Sequence, residues 1–443
     1  MSPSKRSILM NAFHPAKEVD DPEFFAGRGR EVAALTDALH VSGSCPIIYG
    51  DRGLGKTSLA TQIKYIAMGD DELLRSLGIE DRALDEDRVF ITFMVTCTDE
   101  TPFYQGTRGI LQLLINAAEE ADFSTINENK KANRLTGRTI SKKISLKAFE
   151  AESVKTYERE KSRESYSNLS RTEKLQQLIK MIVESYDRPV LFIIDELDRV
   201  NKKHGLASFI KATSGEDVKF ILVGIASNVS QLLGDHRSLE RSLVPVSVPA
   251  MNEGELYEII EKAEAYLRDH GVGIAFDHFA SLKIVALSAG YPWFVHVIGQ
   301  SALVLAADEK RDLIVESDVV RAVNELTDNQ FAHQFAETYR NVVRNSYQRE
   351  KVLRTFAEWR DVDIPTSEIY RKLKTELGVS NPSVYRKQLN SGEYRRIITT
   401  PQTRNRGWVR FSNEMFKVYV RLRPSIYNDV DNEVWEATKN RPW

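Results

Sequence analysis

Two short runs hold the residues best equipped for chemistry. Gly50-Asp51-Arg52-Gly53-Leu54-Gly55-Lys56-Thr57 has the spacing G-x-x-x-x-G-K-[ST], in which glycines let backbone N–H groups turn inward around a phosphate. Lys56 then reaches the β- and γ-phosphate oxygens, the Thr57 hydroxyl is placed to ligate Mg²⁺, and Ser58 continues a helix whose N-terminus favours anions. The second run, Pro189 to Ile194, is continuously apolar and ends in Asp195 and Glu196. A strand of this kind belongs in a parallel sheet covered on both faces, and ligands bind at the carboxyl edge of such sheets. Asp195 is placed there for Mg²⁺, directly or through water, and Glu196 to polarise a water for attack on a γ-phosphate. The chemistry implied is binding of ATP with Mg²⁺ and its hydrolysis.

The elements that must position these runs follow from periodicity. Val32 to His40 reads as an amphipathic helix after a polar arm, and Cys45 to Tyr49 as the strand leading into the loop. A helix runs from Lys56 to about Met68, a strand from Arg88 to Val95, and helices over Thr107–Glu120 and Thr172–Tyr186. Further strands are expected at Val218–Ala226 and Leu243–Val248, followed by helices alone from Asn252 to about Asn329. Strands alternating with helices predict an α/β fold, a parallel-sheet nucleotide domain, with an α-helical lid. The stretch from about 124 to 170 is polar and poor in large apolar residues, and reads as an insertion containing a small hairpin around Ile144-Ser145-Leu146.

Composition narrows the function classes. At 443 residues the chain is too long for one core. Three domains are expected, at 1–250, 251–330 and 331–443. The net charge of −2 excludes a uniformly basic surface, so any nucleic-acid contact must be a local patch. Cys45 and Cys97 lie in apolar runs without a C-x-x-C partner and read as core thiols, and the eight histidines show no zinc-ligand spacing. No apolar run has the length of a membrane span, so a cytoplasmic protein without a membrane partner is expected.

In this order the motifs resemble the AAA+ ATPases, in particular the group joining origin-recognition initiators with STAND-type signalling ATPases, over about residues 24–330. The resemblance implies that Phe25 and Ala26 pack on the adenine side, although Gly29 and Arg30 intervene between Gly27-Arg28 and Glu31. It implies a polar sensor after the strand ending in Ala226, where register favours Ser227 and residue type favours Asn228, each also able to cap the next helix. It further implies an arginine that completes a neighbouring subunit's site in a homo-oligomer, Arg241 with Arg237 in reserve. Gly290-Tyr291-Pro292 is similar to the Gly-x-Pro element of STAND ATPases, whose proline packs near the base, whereas replication initiators place an arginine there.

From about Tyr347 three helices are expected, Lys351–Trp359, Glu368–Leu377 and Val384–Asn390, then strands at Arg396–Thr400 and Gly407–Phe411. This pattern resembles a winged helix. Between Asn381 and Arg423 ten Lys or Arg side chains face two acids, a local charge of +8 suited to a phosphate backbone. Tyr385, Arg386, Lys387 and Gln388 fall on the recognition helix, and Arg404 and Arg406 at the wing tip. The sequence thus points to a regulatory ATPase whose nucleotide state controls assembly and engagement of duplex DNA or a partner. The alternative is a STAND-like signalling switch, in antiviral defence or on a mobile element, whose C-terminal module docks an effector protein.

Overall fold

The computed structural model describes residues 4–98, 107–120, 169–200, 205–226, 229–233, 239–328, 335–359, 362–401, 407–423 and 425. The insertion expected at about 124–170 therefore lies almost wholly outside the described residues. The chain forms two bodies: Arg28–Gly50 with Lys56–Val248, and Met1–Gly27 with Asp51–Gly55 and Pro249–Trp443.

The first body is built on five parallel strands, β1 (Cys45–Gly50), β2 (Ile91–Thr96), β3 (Val190–Asp195), β4 (Val218–Ile225) and β5 (Leu243–Ser247), in the order β2-β3-β4-β1-β5. Every residue of β3 is buried, which is why it reads as an unbroken apolar run rather than an alternating one. Register brings Phe93, Phe192 and Phe220 side by side on β2, β3 and β4. Their rings stack at centroid separations of 5.3 and 5.5 Å, and Phe209 of the helix Leu206–Thr213 meets Phe220 edge-on at 6.0 Å. Ile110 and Leu114 of the helix Thr107–Glu120 and Leu175, Leu178 and Ile182 of Arg171–Tyr186 join the same core. The latter helix starts at a Ser170–Glu173 capping box.

Several charged side chains are buried in this body, Arg28, Lys56, Asp195 and Lys219 among them. Lys219 on β4 is 3% exposed, and its Nζ donates to the carbonyls of Ala38 (2.8 Å) and Val41 (2.5 Å) and to Ser44 Oγ (3.1 Å). It adds a charged donor to carbonyls at the end of the helix Gly29–His40 that also accept from Val41 N–H, Ser44 N–H and the Ser44 hydroxyl. Burial lowers its pKa to about 8 and raises that of the neighbouring Cys45 thiol to about 12. Cys45 and Cys97 are both free and buried, as the sequence predicts.

In the second body the helices Glu253–Asp269, His278–Ser288, Pro292–Asp308 and Glu316–Asp328 form the lid. The all-helical expectation needs correcting, since β6 (Ala275–Phe276) and β7 (Leu313–Ile314) pair in parallel. Two-residue strands carry no readable period. The polar arm is also not an arm: Lys5–Asn11 is a helix, Ile8, Leu9 and Phe13 are buried, and Phe13 packs edge-on against Phe276 and His296. Its apolar side chains cluster on one face, which decides its fate over its polar remainder.

The C-terminal part contains the helices Tyr347–Ala357, Thr366–Thr375 and Pro382–Leu389 and a sheet of β8 (Ile364–Pro365), β10 (Trp408–Phe411) and β9 (Ile398–Thr399), antiparallel with β10 in the middle. This is the expected winged helix. A helix that the sequence reading did not anticipate, Glu414–Leu422, follows the wing. Among the described residues no helix is long and apolar enough to cross a membrane.

Candidate nucleotide site

β1 ends at Gly50, where the chain passes very close to the segment after β5. A Cβ at Gly50 would lie 2.5 Å from the Val248 carbonyl oxygen, while Val248 N–H donates to Tyr49 at 2.8 Å. Only glycine fits so close an approach. Lys56 and Thr57 open the helix Lys56–Ala67, with Lys56 buried and Thr57 and Ser58 half-buried. The Thr57 hydroxyl donates to Asp195 Oδ2 at 2.8 Å. Asp195, 3% exposed, uses its other oxygen to accept from the Glu196 N–H at 2.7 Å.

Glu196 itself has left-handed backbone angles, φ 52° and ψ 37°, which cost a non-glycine residue about 1 kcal/mol or more. The Asp195 hydrogen bond compensates part of that cost. The turn lifts the Glu196 side chain off the strand line and leaves it partly exposed at 38%. Both of its oxygens meet Arg199: Nε lies 2.6 Å from Oε2, and Nη2 donates to Oε1 at 3.3 Å. Asp198 Oδ1 accepts from the Ile225 N–H at 2.7 Å, anchoring the 3-10 turn Leu197–Arg199 to the end of β4. Asp198 and Arg199 were missed at the sequence level. The signal was present, a second acid and a base each three residues after Asp195 and Glu196.

These groups suit a hard cation. Thr57 and Asp195 offer adjacent oxygens at a helix N-terminus, and Mg²⁺ is held in this manner by one or two protein oxygens, completing its octahedron with water and phosphate. The remaining loop residues, Asp51–Gly55, belong to the second body, where Leu54 is buried and Arg52 exposed. There a Cβ at Gly55 would be 4.0 Å from Pro292 Cγ, so the Gly-Tyr-Pro element lies against the phosphate loop. Phe25 and Ala26 are buried in the same body, and the following Gly27 N–H donates to Glu258 Oε2 at 2.9 Å.

The structure brings Lys56, Thr57, Asp195 and Glu196 to one end of the sheet. Arg241 is exposed at the turn before β5. Ser227, Asn228, Arg237, Arg404 and Arg406 lie outside the described residues. On the helix Pro382–Leu389, expected from the sequence to be the recognition helix, Lys387 is exposed and Tyr385 half-buried. Arg386 lies beside the Tyr370 side chain, and Gln388 accepts from Arg349 Nε at 3.0 Å. The +8 segment is also less free than its count implies: Lys417 is buried beside Glu414, Arg410 pairs with Asp363 at 3.1 Å, and Arg395 pairs with Glu337 at 3.0 Å.

The structure of the Walker-type ATPase paby2304 of Pyrococcus abyssi is similar over 93% of this chain and 99% of its own, with a TM-score of 0.50 and 15% identity. What the two share is the fold, a parallel α/β core with surrounding helices. Lesser similarity extends to the Aeropyrum pernix ORC2 protein (TM-score 0.46, 15% identity, 95% of this chain and 98% of that one). It extends also to the Thermotoga maritima RuvB Holliday junction branch migration motor (TM-score 0.39, 17% identity, 88% and 93%). No protein-family model and no curated protein matches the sequence. Within this fold β4 separates the loop strand β1 from the acidic strand β3, so the Thr57–Asp195 bond must reach past an intervening strand.

Replacing Thr57 by Val keeps the shape and removes the hydroxyl. Calorimetry with ATP in the presence and absence of Mg²⁺ is expected to show the metal-dependent gain in affinity falling by at least about tenfold. An unchanged gain would remove Thr57 from the metal site.

Proposed function

We propose that the chain binds ATP with Mg²⁺, hydrolyses it, and uses its nucleotide state to control its own assembly and its engagement of duplex DNA or a partner protein. The observation that carries the proposal is the Thr57–Asp195 hydrogen bond of 2.8 Å, which unites the phosphate-binding helix with the acidic strand. Lys56 and the loop N–H groups hold the phosphates, Thr57 and Asp195 hold the metal, and Glu196 takes the proton of the attacking water. Phe25 and Ala26 on the base side, Ser227 or Asn228 at the γ-phosphate and Arg241 in trans complete the proposed site in a homo-oligomer.

In the described state the Glu196 carboxylate faces the Arg199 guanidinium rather than a free water position. A resting enzyme with slow turnover, accelerated when Arg199 lets go, accords with this geometry. Glu196→Gln is expected to leave ATP binding intact and to slow hydrolysis by about a hundredfold or more. Arg199→Ala should raise basal turnover by about two- to fivefold, the range an exposed ion pair is worth. Parental turnover in Glu196→Gln would disprove the general base.

The exposed Lys387 and the wing arginines Arg404 and Arg406 support duplex DNA as the partner of the winged helix. The second reading, a signalling switch whose C-terminal module docks an effector, is favoured by Pro292 lying against Gly55. One titration separates them. Charge reversal of Arg404 and Arg406 to Glu should weaken DNA binding at all sequences and reduce the log–log salt slope by about one unit per lost phosphate contact. Absence of salt-sensitive DNA binding by the parent protein with ATP and Mg²⁺ would favour the effector reading.

A further inference from the structure

The tip of the phosphate loop meets two other segments of its own body. Gly53 has φ 82°, and a Cβ there would lie 3.7 Å from both Met415 Sδ and Tyr291 Cδ1. The start of the helix Glu414–Leu422 therefore rests on the loop tip beside the Gly-Tyr-Pro element. The contact is polar at its centre. Glu414 is 8% exposed, with Oε2 3.3 Å from Lys417 Nζ, whereas Oε1 is buried without a hydrogen-bond partner. The Tyr291 hydroxyl is likewise buried and unpartnered.

A buried, half-satisfied carboxyl beside an anion-binding loop is an unstable arrangement once that carboxyl ionises. Four groups face Glu414: Lys417 from its own helix, Asp51 from the phosphate loop, Arg410 from β10 and Tyr291 from the lid. Burial pushes the Glu414 carboxyl up to about 7, with Asp51 raising it further and Lys417 and Arg410 opposing. Because this docked value lies above the ordinary 4.5 of a glutamate, the docked state has its full stability at low pH and loses it as pH rises through about 7. Phosphates arriving at the loop add negative charge on the same side as Asp51. They therefore make the ionised, docked form still less favourable.

We propose that Glu414 is a latch that ties docking of the last helix on the phosphate loop to the nucleotide state of that loop. Above neutral pH nucleotide and the docked helix start disfavour one another, and the helix start loosens when the loop fills. Below it the carboxyl keeps its proton and the two coexist. The latch rests on the nucleotide-binding reading above. It supplies that reading with a path from loop to winged helix.

Hydrogen exchange on the full chain, with and without ATP and Mg²⁺ at pH 6 and pH 8, tests the latch once rates are corrected for intrinsic exchange. The nucleotide should lower protection of residues 414–422 by about tenfold at pH 8, the equivalent of one pKa unit, and leave it unchanged at pH 6. Glu414→Gln, neutral and of the same shape, should abolish the nucleotide effect at pH 8. Residues 50–57 should gain protection in both proteins, which reports binding independently. An equal effect at both pH values, an equal effect in Glu414→Gln, or none at all while the loop is protected would overturn the latch. No protection of the loop in either protein would instead overturn nucleotide binding itself. If Glu414→Gln does not fold, Lys417→Met provides the second test. Without its cation the carboxyl holds its proton to higher pH, and the pH above which nucleotide loosens the helix start must move up; no movement would also overturn the latch.

Discussion

The nucleotide end of this protein depends on one contact, the hydrogen bond from Thr57 to Asp195 across the edge of the sheet. A hydroxyl and a buried carboxylate can come this close only if the helix after β1 and the end of β3 are fixed relative to each other. The parallel sheet does so through β4, paired with both strands, and through the Phe93-Phe192-Phe220 stack that locks the register. Slipping β3 by one residue would turn Asp195 away from Thr57 and bring Glu196 in its place. The core and the chemistry are thus set by the same registration.

Much of this was legible in the sequence because the determinants are local. β3 is buried on both faces, so its apolar run and acidic end stand out, and the glycine spacing of residues 50–55 serves backbone geometry that few other residues can adopt. The core strands appeared within one to three residues of their expected bounds. Short or long-range features were not legible. β6 and β7 have two residues each, and the segment after the helix Lys5–Asn11 is held by Phe13 packing against Phe276 and His296, far away in sequence. The helix Glu414–Leu422 shows apolar spacing at Met415, Val418, Tyr419 and Leu422, but it follows the wing without a loop long enough to mark a new element. Arg199 escaped notice because its role exists only once the left-handed turn at Glu196 folds it back.

The same local and distant logic governs the C-terminal module. Its ten basic residues between Asn381 and Arg423 form a strong compositional signal. Folding spends part of that charge internally, on Asp363, Glu337 and Glu414. What the sequence presents as one surface becomes two roles, with Lys387 facing solvent and Lys417 held beside a buried acid under the phosphate loop. The start of the last helix therefore meets the tip of the loop. In the proposed latch, this contact of Gly53 with Met415 and Tyr291 is the path from loop to winged helix.

The central claim is that the loop ending in Lys56 and Thr57 is a nucleotide site, and titration calorimetry of ATP with Mg²⁺ into the parent protein and Lys56→Ala tests it most directly. In the proposed site Lys56 supplies the side-chain cation for the β- and γ-phosphates. The account predicts saturable binding by the parent and a loss of about a hundredfold or more in affinity in the folded variant, comparable to removing one desolvated, charge-assisted contact. Equal affinity in the two proteins, with the variant folded by circular dichroism, would contradict it.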